Sequence, residues 1–99
     1  MRRTMTYGHL PAREDFVLAF EEEYGEDGTF EVRGPKVMTA RPSAHAKFMH
    51  TVAGEYDAAA MWHLIAHLVE DAERRGDDLD GPALSFVSDV LETVGFEWV

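Results

Sequence analysis

The sequence predicts an α+β domain in which three or four helices cover one face of a small antiparallel sheet. Two observations carry that expectation. Long stretches, Ala58–Arg75 above all, repeat apolar residues at three- and four-residue spacing with no Gly or Pro inside. Between them lie short runs that alternate apolar and polar residues and are bounded by Gly and Pro, foremost TFEVRGPKVMTA at 29–40. With 99 residues and 45% hydrophobic content, the chain has material for a single core, so residues 1–99 are expected to form one domain.

The elements follow in order. Residues 2–7, RRTMTY, suit a short strand. Pro11 then opens a helix running to Tyr24, because a first helical position has no use for the N–H that proline lacks. Phe16, Val17, Phe20 and Tyr24 share its apolar stripe, and Gly25 is placed to stop it in a left-handed conformation. Phe30 and Val32 alternate with Glu31 and Arg33 as a half-buried strand does. Gly34–Pro35 supplies a turn, and Val37–Ala40 is the expected return strand.

The segment 43–53 fits either helix or strand. Helix is favoured because Ser43 can cap it, Gly54 can close it, and Ala44, Ala46 and Met49 are poor strand formers. Asp57 is a good cap for the next helix, Ala58–Arg75, which Gly76 ends. After the polar loop DDLDG, Pro82 opens a last helix to Val94, with Leu84, Val87, Val90, Leu91 and Val94 on one side and Ser85, Ser88, Asp89 and Glu92 opposite. The ending FEWV alternates and suits a terminal strand. The expected core is Phe16, Phe20, Phe30, Val32, Met61, Ile65, Leu68, Leu84, Val87 and Leu91.

Composition narrows the chemistry. There is no cysteine, which removes disulfides, thiolate catalysis and Cys-ligated metal sites. No apolar run is long enough to span a bilayer and the start lacks a signal-peptide core, so a cytoplasmic protein with no membrane partner is expected. Phosphate loops, dinucleotide fingerprints, calcium loops and serine-nucleophile elbows are all missing, and no catalytic residue is assigned. An enzyme is therefore the less favoured reading.

Charge is the strongest remaining signal. The net charge is −10. Residues 1–31 carry three Arg and eight acids; residues 32–54 carry four cations and no acid; residues 55–99 carry two Arg and eleven acids. Such a surface repels phosphate backbones and attracts basic surfaces, so direct duplex nucleic-acid binding is not expected. The leading expectation is a non-enzymatic acidic protein-binding module, of the kind a small inhibitor or nucleic-acid mimic represents. Its partner would be another protein with a basic surface, docked through Glu70, Asp71, Asp77, Asp78, Asp80, Asp89 and Glu92.

Two alternatives rest on local motifs. MWHLIAHLVED, Met61–Asp71, places His63 and His67 one helical turn apart, with Glu70 and Asp71 beyond them; such a pair can grip zinc or another divalent cation. Advancing about 100° per residue puts both imidazoles opposite the face holding Met61, Ile65 and Leu68, which makes them surface residues. Leu64 stands where a metalloprotease motif needs its general-base Glu. A stable site would need a third ligand, from Glu70, Asp71 or an approaching His45 or His50. The second alternative is an anion or acidic-peptide site at Arg33, Lys36, Arg41 and Lys47, the segment without carboxylates. Ala58, Ala59, Ala60 and Ala66 would also let another helix approach closely, from the same chain or from a second copy in a homo-oligomer.

Overall fold

A computed structural model of the chain describes residues 3–35, 40–76 and 81–99. The architecture is α+β: among the described residues four helices accompany two small two-stranded sheets, one parallel and one antiparallel. In chain order the elements are β1 (Arg3–Met5), α1 (Arg13–Tyr24), β2 (Phe30–Val32), α2 (Ala44–Val52), β3 (Gly54–Tyr56), α3 (Ala58–Arg75), α4 (Pro82–Thr93) and β4 (Phe96–Trp98).

Local chemistry sets the helix ends. Ser43 accepts a hydrogen bond from the Ala46 amide at 3.1 Å, and Asp57 accepts one from Ala60 at 2.8 Å, so α2 and α3 begin at side-chain caps. The 43–53 segment is thus a helix over most of its length. Gly76 ends α3 at φ 64° and ψ 25°, a left-handed cap that costs glycine no Cβ clash. Gly25 also ends its helix at positive φ, 87°, but with ψ at 166° it turns into extended chain instead of a left-handed cap. Helix α1 starts two residues later than Pro11, whose carbonyl accepts the Trp62 indole N–H at 3.4 Å. Pro82 opens α4 at its first position, as its ring geometry favours.

The pairing of strands differs from a single hairpin-based sheet. Strand β2 pairs antiparallel with β3, in register Phe30 to Tyr56, Glu31 to Glu55 and Val32 to Gly54. Helix α2 fills the connection between them. Of the expected return strand, residues 37–39 lie outside the described residues and Ala40 sits in a bend. Strand β1 pairs with β4 in parallel, Arg3 opposite Phe96 and Met5 opposite Trp98, which joins the first and last elements.

The buried apolar side chains form one cluster in which Phe16, Phe20, Met61, Ile65, Val87 and Leu91 are fully enclosed. Val32 and Leu84 are buried as expected; Phe30 and Leu68 pack against the cluster while staying partly exposed. Val69 is buried on the flank of α3 away from Leu68, so the inward face of that helix is turned towards Val69 relative to the sequence expectation. Helix α4 is enclosed from several sides, contacting α2, α3 and β4. That is why Phe86, off the main α4 stripe, is buried: the ring of Phe48 from α2 meets it edge-on at 5.7 Å.

Candidate functional site

Helix α3 presents His63 and His67 to solvent, and both are exposed. Ile65 and Met61 behind them are fully buried, so the helical period separates imidazoles from core. The His63 ring meets Trp62 edge-on at 5.5 Å. Asp71 turns to the end of its own helix, where the Arg75 guanidinium sits 3.2 Å from its carboxylate and also donates to its carbonyl. Among the described residues no three His, Asp or Glu side chains converge into a metal-holding group. His45 and His50, both exposed on α2, therefore bring no third ligand to His63 and His67.

The acidic residues divide between helices. Glu70 on α3 and Asp89 and Glu92 on α4 are exposed, while Asp71 is half-buried. Asp77, Asp78 and Asp80 lie outside the described residues. Among the described residues Glu70 and Asp89 have no ion-pair partner. No charged or polar side chain is buried among the described residues. A carboxyl raised into the range useful for acid–base work at neutral pH is usually a desolvated one.

The described members of the basic segment, Arg33, Arg41 and Lys47, sit at separate points along the chain from the end of β2 into α2. Arg33 lies 3.5 Å from Glu31 in an exposed pair. Arg41 and Lys47 are exposed, on the approach to α2 and on α2 itself, and Lys36 lies outside the described residues. What the fold does bring together is one member of each expected surface. Arg33 and Asp89 line the same open cleft of about 360 Å³, floored by Phe30, Val32, Phe86 and Val90. Opposite charges thus rim one apolar depression, an arrangement that no spacing in the sequence announces.

One exposed apolar side chain lies outside all of these expectations. Leu18, on the outer side of α1, is 60% exposed. Its neighbours one turn back are Glu14 and Asp15, and one turn forward Glu21 and Glu22. The signal was available in the spacing: a leucine at the centre of the polar face of an amphipathic helix.

Tyr24, at the end of α1, has its phenol pKa raised, first by burial and then by the negative charge of Glu23. Its ring packs between Phe20 at 4.8 Å and Phe30 at 5.9 Å, so the residue closes the core where α1 meets β2.

Comparison with protein-family models, with curated proteins and with solved structures finds no match. No helix among the described residues is long and apolar enough to cross a membrane.

Proposed function

We propose that this protein is a non-enzymatic binding module that docks a basic protein surface, an inhibitor or nucleic-acid mimic in its simplest form. The observation that carries the reading is the acid left uncompensated on the helix exteriors. Exposed Glu70 and Asp89 have no ion-pair partner among the described residues. Charge kept at the surface without internal partners adds self-repulsion to the folded state and speeds encounter with a cationic partner. The absence of buried charge among the described residues adds support, since it removes the commonest setting for a tuned catalytic carboxylate.

The test is a pulldown from the native host with the untagged protein coupled to resin, at about 0.05 M and about 0.5 M salt. A specific basic protein retained at low salt and released at high salt is the expected result, because exposed charge pairs are screened as the Debye length shrinks. Retention of nothing at low salt, or of a partner indifferent to salt, rejects the reading.

A further inference from the structure

We infer that the outer face of α1 is the docking site for a basic amphipathic segment of a partner protein, with Leu18 as the apolar anchor. This rests on the binding-module reading and goes beyond it by moving the contact from α3 and α4 to α1. Leu18 projects beside a hollow on one flank of α1 and above open helix surface on the other. The hollow, of about 200 Å³, runs from Asp15, Ala19 and Glu22 to Val94 and Phe96 at the start of β4. The other is a shallow, open stretch of the α1 surface on the opposite flank, among Arg13, Glu14, Val17 and Glu21. An apolar side chain at the rim of a hollow between α1 and the start of β4 gives a partner both a knob to cover and a recess to fill.

The surrounding charge selects the occupant. Four carboxylates, from Glu14, Asp15, Glu21 and Glu22, stand three or four positions from Leu18 on the helix surface. Two arginines share this surface: Arg3, whose guanidinium already lies over the Phe96 ring at 5.9 Å, and Arg13 at the start of α1. Acid exceeds base, and none of the four carboxylates has an ion-pair partner among the described residues.

The last turn of α1 sharpens the point. It contains Glu21, Glu22 and Glu23 and no basic residue, at the helix end where the backbone dipole disfavours negative charge. A lysine- or arginine-rich segment presenting one apolar stripe would relieve both mismatches at once. It would neutralise the acid ring and cover Leu18, as polar rims surround apolar anchors in protein interfaces. A second copy of this chain, itself at −10, would add like charge to the same ring.

The experiment uses the full ¹⁵N-labelled chain and a synthetic Lys/Leu peptide of about 15 residues whose leucines recur at helical spacing. A peptide of equal composition with scrambled order serves as control. The patterned peptide should bind saturably at low salt and shift amides across 14–22 and 94–96. It should do so more tightly than the scrambled peptide.

Leu18→Asp should weaken binding about tenfold or more, and Leu18→Ala, which keeps the helix, by a smaller factor. Equal affinity for both peptides, or unchanged affinity in both Leu18 variants, overturns the assignment. Shifts centred on Glu70 and Asp89 with α1 silent overturn it while leaving the binding-module reading intact. No binding at low salt by either peptide rejects both. Concentration-dependent self-association abolished by Leu18→Asp shows that the occupant is a second copy, which also overturns the proposal.

Discussion

The indole of Trp98 donates a hydrogen bond to the carbonyl of His9 at 2.6 Å, across a separation of 89 residues. The Tyr7 ring meets the same indole edge-on at 4.9 Å, and the amides of Tyr7 and Val99 donate to Val99 and Met5 at 2.9 and 2.8 Å. A parallel pair of three-residue strands is a weak unit by itself, since parallel ladders favour burial on both faces. The tryptophan clamp supplies the long-range tie that the short ladder lacks. Trp98→Phe keeps an aromatic ring and removes the donor; the expected cost is about 0.5–1.5 kcal/mol. Thermal unfolding should report a Tm lower by a few degrees, and amide exchange should quicken at Tyr7 before it does in α3.

Glu31 and Glu55 stand directly opposite each other in the β2–β3 ladder, both exposed. Like charges at facing positions destabilise a sheet, and the Arg33 guanidinium 3.5 Å from Glu31 offsets only one of them. Glu55→Lys should therefore stabilise the protein by about 0.2–1 kcal/mol, with a gain that shrinks as salt is raised. A lower Tm in the variant at low salt contradicts the pairing.

Zinc should leave the thermal midpoint unchanged at equimolar concentration. His63 and His67 share a face, but Asp71 is held by Arg75 and no third ligand joins them among the described residues. A ligand raises stability only if it binds the folded state. A rise of several degrees that His67→Ala abolishes would support the metal reading.

Tyr24 makes a contribution to stability that weakens at alkaline pH. Its folded pKa is raised, mainly by burial, so the neutral phenol is favoured in the folded state. The stability it contributes is complete below the ordinary tyrosine value of about 10 and is lost as pH rises through the higher folded value. Glu23→Gln removes the smaller cause, and an ultraviolet phenolate titration against a Tyr24→Phe control should show the pKa fall part of the way back. A pKa unchanged by Glu23→Gln would show that burial acts alone.

Much of the helical structure was legible because its causes are local. Asp57 and Gly76 bound α3 within a few residues of the atoms they cap, and Pro82 and the apolar spacing do the same for α4. The outward placement of His63 and His67 follows from the same period. Leu18 was legible in principle, since its four acidic neighbours lie within one turn on either side. The charge run at Glu21–Glu23 masks it, because that run reads as a solvated face.

What the sequence by itself determined, then, is the four helices, the short strands β1, β2 and β4, and most of each helix's inward face, because caps, turns and the 3.6-residue period act over a few positions. Strand β3 at Gly54–Tyr56 was not legible there. Tertiary structure alone decided which strands pair and which cleft Arg33 and Asp89 share. It also decided that Phe86 is buried, through the approach of Phe48 from another helix. Three-residue strands carry too little pattern to name a partner. The choice between β3 and a nearer segment for β2, or of β1 for β4, rests on which pairing lets the helices close over one core.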